Sequence, residues 1–143
     1  MKQFLVLLAV LPLMLVFFVQ FSVDQINSSR VAQLSDIVYA AKEQAKQEGC
    51  FSASLQDELR RNIASRLGIS ADAIEIEADS VPVSRLYSAA GFGNGDWQRG
   101  LIHYSVRVDI GPAMAGTSLL GIKEKNNIYT YVIDSYTASE RLQ

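Results

Sequence analysis

Hydrophobic residues crowd into the first part of this chain and then thin out into periodic patterns. Phe4 to Val23 reads FLVLLAVLPLMLVFFVQFSV, 20 residues without a charge, in which only Gln20 and Ser22 are polar. At about 1.5 Å per residue, a helix of that length spans about 30 Å, the thickness of a bilayer's hydrocarbon core. Fifteen of the 20 are Leu, Val or Phe. At roughly 0.3–0.6 kcal/mol each, they favour insertion by about 5–9 kcal/mol before the penalties at Gln20 and Pro12. Pro12 removes one backbone hydrogen bond and crowds the carbonyl of Leu8, so a kink or local loosening is expected there.

The pattern then changes period without a break. Gln25 to Glu48 contains neither proline nor glycine. Apolar residues recur at Ile26, Val31, Leu34, Ile37/Val38, Ala41 and Ala45, which is helical spacing. Gly49 is placed to stop the helix. One helix is therefore predicted from about residue 3 to 48, roughly 68 Å long at 1.5 Å per residue. Its first part, 1–24, is a transmembrane or filament-core segment. Its second part opens an α+β domain, 25–143, expected outside the cytoplasm. A cleaved signal peptide would share the apolar run, but no A-x-A pattern follows it, and a signal has no need of the helical extension.

Further along, Ser54-Leu55-Gln56-Asp57 resembles a capping sequence. Leu55, Leu59, Ile63 and Leu67 follow on one helical face, and Gly68 closes a second helix at about 55–67. Arg60, Arg61 and Arg66 fall away from that row, as a solvated face would. Ile74 to Asp79 alternates strictly, the mark of a half-buried strand with its three acids on the wet side. Ile102, Tyr104, Val106, Val108 and Ile110 alternate with His103, Ser105, Arg107 and Asp109 in the clearest strand of the chain. Gly111-Pro112 is expected to break it. Asn126 to Tyr136 forms the last strand. Its apolar residues on both faces predict cover on both sides.

Composition narrows the chemistry. The net charge is −2 and the pI about 5.3, so no basic footprint points to nucleic acid. One cysteine, Cys50, and one histidine, His103, are too few for an internal disulfide or a four-ligand zinc site. No nucleophile–base pair can be assembled from them, so no enzymatic activity and no cofactor are expected. Gly91-Phe92-Gly93-Asn94-Gly95 lacks the lysine, the preceding strand and the following helix of a phosphate-binding loop. Phe92 and Trp97 in that segment are better suited to subunit contacts, as are Tyr129 and Tyr131 in the last strand. Asn27-Ser28-Ser29 matches a glycosylation sequon by pattern, and occupancy is not expected on a helix so near the membrane boundary.

Leu8-Ala9-Val10-Leu11-Pro12-Leu13-Met14-Leu15, with its central Leu-Pro-Leu, and the alanine-rich, charged Ala40-Ala41-Lys42-Glu43-Gln44-Ala45 resemble the pilin superfamily. Within it the chain is similar to the minor pilins of tight-adherence pili and to related Gram-positive pilin-like proteins. The apolar run carries no acid, where pilins usually place a glutamate at the fifth mature position. The acid common at the far end of that segment is matched loosely by Asp24.

The resemblance implies a fold in which the long helix packs against a small, mainly antiparallel three-stranded sheet with one short extra helix. It implies a subunit of a type IV-like surface filament, held in the cytoplasmic membrane before assembly with its N-terminus inside. Its partners would be copies of itself and the membrane assembly machinery. Phe4, Leu7, Leu8, Leu11, Pro12, Leu15, Phe18 and Phe21 would then pack the filament core. Val31, Leu34, Val38, Ala41 and Ala45 would dock the chain's own domain. The alternative is a single-pass envelope protein, or a minor pilin that primes a larger assembly without forming the filament.

Overall fold

The structure, a computed structural model, describes residues 1–85, 100–117 and 121–142. It has an α+β fold. Helix α1 spans Lys2–Glu48, helix α2 Ala53–Leu67, and three strands follow: β1 Ile74–Ala78, β2 Leu101–Pro112 and β3 Ile128–Ala138. The sheet order is β1-β2-β3 with both pairings antiparallel.

Helix α1 is continuous over 47 residues and carries Pro12 inside it. It ends as its sequence predicts. Gly49 adopts φ 84°, and its N–H donates to the Ala45 carbonyl at 2.8 Å. A side chain here would be strained by the left-handed backbone, and a Cβ would also lie 2.8 Å from the Val83 carbonyl oxygen. Beyond it, the Phe51 N–H donates to the Asp79 carbonyl and the Val83 N–H to that of Gly49, both at 2.9 Å. The connection between the helices is thereby tied to the segment that follows β1.

Helix α2 starts earlier than its sequence suggested. The cap is Ser52, whose hydroxyl accepts from the Leu55 N–H, so the first turn begins at Ala53. Gln56, at the fourth helical position, donates through Nε2 to the Phe51 carbonyl at 2.9 Å. Ser54 lies inside the helix and is exposed.

The core is one layer of two helices on one face of the sheet. Leu34, Val38, Ala41 and Ala45 of α1 meet Leu55, Leu59, Ile63 and Leu67 of α2. Both rows lie over Ile74 and over Ile102, Tyr104, Val106, Val108 and Ile110. Phe51 is fully buried between them, its ring centroid 5.3 Å from that of Tyr104. Val31 is half-buried and packs against the cluster. Ile26, expected on this stripe, is instead 54% exposed, while Asn27 is only 8% exposed. Residues 20, 27, 34 and 41 recur every seven positions, two turns of helix, and 31, 38 and 45 run alongside them. Asn27 holds the stripe position that hydrophobicity alone assigned to its neighbour.

Two strands differ from expectation. β2 is not broken at Gly111-Pro112. A register shift between Asp109 and Gly111 lets pairing resume at Gly111↔Tyr129 and Pro112↔Ile128. A bulge of this kind tolerates a proline that cannot donate to the ladder. β3 is covered on one side only. Tyr131 and Ile133 lean on the core, whereas Ile128, Val132 and Tyr136 are exposed. Helices pack on the inner face of the sheet, and the outer face carries polar pairs beside these exposed apolar residues. There Arg107 meets Glu75 at 3.3 Å, His103 Nε2 meets Asp134 at 2.8 Å, and Thr130 donates to Asp109. Glu43, on the exposed side of α1, has its carboxyl held below the ordinary value, chiefly by the hydrogen bond from Lys46. An exposed pair of this kind adds little to stability.

Leu34 is 0% exposed and Leu11 55% exposed on the same helix. Leu34→Ala should therefore destabilise the domain by about 2–5 kcal/mol. Leu11→Ala should leave the domain's stability unchanged. Chemical denaturation of the detergent-solubilised chain, followed by near-ultraviolet circular dichroism, reads both. Equal effects of the two substitutions would contradict this division of the helix.

Candidate assembly interface

Residues 2–19 of α1 are all exposed. The helix is long and apolar enough to cross a membrane, and no residue of its apolar window is buried. Phe4, Leu7, Leu8, Leu11, Pro12, Leu15, Phe18 and Phe21 are all exposed. So are Leu5, Val6, Leu13, Val16 and Phe17, which point in the remaining directions. A helix that is apolar around its whole circumference needs cover around its whole circumference. Bilayer hydrocarbon or a ring of neighbouring helices supplies that; a one-sided partner does not.

Between this exposed run and the docked stripe lies a polar junction. Gln20 accepts from the Ala115 N–H at 2.8 Å through Oε1. Its Nε2 donates to Asp24 at 2.9 Å and to the Ala113 carbonyl at 3.4 Å. Two turns later, Asn27 Nδ2 donates to the Pro112 carbonyl at 2.9 Å. Arg30 donates to the Ile110 carbonyl. Three side chains of the helix thus bind four backbone groups, the Ile110, Pro112 and Ala113 carbonyls and the Ala115 amide, of the bulged end of β2 and the turn after it. From the sheet side, Asn127 completes the fixation. Its Oδ1 accepts from the Met114 N–H at 2.7 Å, and its Nδ2 donates to the Met114 carbonyl at 2.8 Å and to Thr117 at 3.1 Å.

Sequence reasoning treated Gln20 as a penalty in an apolar run and overlooked Arg30 and Asn127. The available signal was the seven-residue spacing of Gln20, Asn27, Leu34 and Ala41. Polar residues on an otherwise apolar stripe mark where the helix faces loop backbone, because buried carbonyl and amide groups need partners. The same contact accounts for the sequon. The Asn27 amide is buried and already engaged, so it is closed to modification in this fold.

Of the remaining expected contact residues, Phe92 and Trp97 lie outside the described residues. Tyr129 is exposed, and Tyr131 is half-buried against the chain's own core. Cys50 is free and buried. His103 sits on the outer sheet face beside Asp134 and the ring of Tyr136, 4.8 Å between centroids. Among the described residues, no group of three or more His, Cys, Asp or Glu side chains is arranged to hold a metal ion.

The class that this geometry defines is a small α+β domain carried on one helix long and apolar enough to span a membrane. No protein-family model, curated protein or solved structure matches the chain.

Gln20→Ala removes both contacts to the turn after β2. A net hydrogen bond is worth about 1 kcal/mol, so the Ala115 amide should exchange with solvent roughly 5-fold faster. The amides of Tyr104 to Val108 in central strand β2 should not change. Hydrogen exchange of the full chain in micelles measures this, and an unchanged Ala115 rate would remove Gln20 from the junction.

Proposed function

We propose that this chain is a structural subunit of an extracellular type IV-like filament of the tight-adherence kind, polymerising through its N-terminal helix. One observation carries the reading. A single 47-residue helix is bare and apolar on every side in its first half, and docked along one stripe in its second. Before assembly, the bare half lies in the cytoplasmic membrane, with Lys2 on the inner side and the domain outside. On assembly it exchanges lipid for the helices of neighbouring copies. Helix-to-helix packing then covers Phe4, Leu7, Leu8, Leu11, Leu15, Phe18 and Phe21, with Pro12 among them. Such contacts are head-to-tail and do not close, so they build a fibre. The membrane machinery that extracts pilins would be the second partner. The role is mechanical; catalysis, cofactor and nucleic acid have no part in it.

The absence of an acid in the apolar run bears on how copies would be brought into register. Without a buried charge to pair with a neighbour's N-terminus, register in the core would come from shape alone, with Phe17, Phe18 and Phe21 as the large knobs. The domain would add contacts through exposed Tyr129 and its neighbours on β3.

The direct test is to shear appendages from bacterial cells producing the chain, image them by electron microscopy and identify their protein by mass spectrometry. Filaments built mainly of this chain, with Phe4 to Val23 intact, are expected. Leu11→Lys places a charge in the core at a penalty of roughly 3 kcal/mol per copy and should abolish filaments while leaving the domain folded. Recovery of the wild-type chain only from membranes, as a monomer or small complex, would replace this reading with that of a single-pass envelope protein.

A further inference from the structure

The junction at Gln20 decides how far the domain descends along the helix, and this has a consequence at the membrane surface. The apolar run extends to Val23, yet the domain's contact with the helix already begins at Gln20. Three residues of rise are about 4.5 Å, so the turn after β2 overlaps the end of the run. The overlap is visible as an open cleft of about 610 Å³ whose walls combine Val19 and Val23 of α1 with Pro112, Met114 and Ile128. Met114 is 50% exposed there, and Ile122, whose N–H donates to the Thr117 carbonyl, is also exposed. Lys123 and Lys125 follow Ile122 and are exposed, with exposed Glu124 between them.

We propose that Met114 and Ile122 form a foot of the domain that rests in the interfacial layer of the bilayer, their side chains inserted among the glycerol and upper acyl groups. The proposal depends on the reading that the bare half of α1 occupies a membrane before assembly, and it adds where the domain stands. The occupant follows from continuity. Val19 and Val23 belong to the run that lipid covers, and Met114 shares one cleft with them, so the surface that covers the run reaches the foot. The turn after β2 suits such a layer because much of its polar backbone is already paired: Gln20 and Asn127 bind the Ala113 and Met114 carbonyls and the Met114 and Ala115 amides from both sides. A turn with unpaired amides would be held in water. Exposed lysines beside an apolar tip suit the headgroup level, where their stems lie along lipid and their ammonium groups reach phosphate.

The foot also constrains orientation. One helix alone is free to tilt and rotate in a bilayer. A second point of attachment at Met114 and Ile122 fixes which side of α1 faces down, and so which apolar residues the next copy meets.

The test uses the full chain in vesicles of phosphatidylcholine with a minority of phosphatidylglycerol. Single cysteines are introduced by Leu11→Cys, Met114→Cys, Ile122→Cys and Asp57→Cys, and each is labelled with an environment-sensitive nitrobenzoxadiazole dye. Buried Cys50 stays in place, and the unsubstituted chain gives the background. Asp57 lies in the first turns of α2, just past the far end of α1, and that end, Glu48, is roughly 42 Å from Gln20 by helical rise. Quenching by lipids spin-labelled deep or shallow in the acyl chain reports depth. Dye at residue 11 should be quenched by the deep label. Dye at 114 and 122 should be blue-shifted and quenched several-fold more by the shallow label than dye at 57. Quenching at 11 with 114 and 122 indistinguishable from 57 would overturn the foot and leave the anchor standing. No quenching at 11 would overturn both.

Discussion

One helix has to satisfy two surroundings, and the hydrogen bonds that Gln20, Asn27 and Arg30 make to the backbone of residues 110–115 are where it passes from one to the other. Above this junction α1 is an ordinary amphipathic helix with a stripe of Leu34, Val38, Ala41 and Ala45 in a dry core. Below it the same helix is apolar in every direction. Without the junction, the end of β2 would expose a bulge, a proline and several unpaired carbonyls beside a hydrophobic rod. With it, those groups are satisfied by side chains projecting from the helix itself. The domain is thereby held at a defined height along α1.

The junction also involves the sheet. The register shift between Asp109 and Gly111 falls in the stretch of β2 whose Ile110 and Pro112 carbonyls accept from Arg30 and Asn27. That shift is what allows the strand to continue through a proline. Asn127, at the entry to β3, then grips the turn from the opposite side through Met114. A region that reads as loop in composition is therefore among the better hydrogen-bonded parts of the domain. Rigidity at that point matters for any assembly in which the domain must keep a set angle to its helix.

Elsewhere the domain relies on burial. Two helices cover one face of three strands, and the other face carries pairs such as Arg107–Glu75 and His103–Asp134. These are exposed and contribute little individually. A core this small gains from association, which fits a chain whose apolar N-terminal run is exposed. Ile128, Val132 and Tyr136 on the uncovered side of β3 offer a second, lesser surface of the same kind.

Much of this was legible in the residues because periodicity and local chemistry are written there. The length of α1, its stop at Gly49, the row Leu55, Leu59, Ile63 and Leu67, and the alternating faces of β1 and β2 all follow from spacing and from glycine's access to the left-handed region. So does the exposure of Phe4 to Phe21, since no short domain can wrap a helix on every side. Tertiary structure alone decided what depends on contacts distant in sequence. It put Asn27 rather than Ile26 on the buried stripe, because the partner there is a backbone carbonyl 85 positions away. It carried β2 through Pro112 by a bulge and left one side of β3 uncovered. The cap of α2 at Ser52, by contrast, is a local feature, its hydroxyl accepting from the Leu55 amide three residues on. Gln20, a blemish in a hydrophobic run by sequence, became the residue that sets the height of the domain, because its carboxamide meets a turn 93 to 95 positions further along the chain.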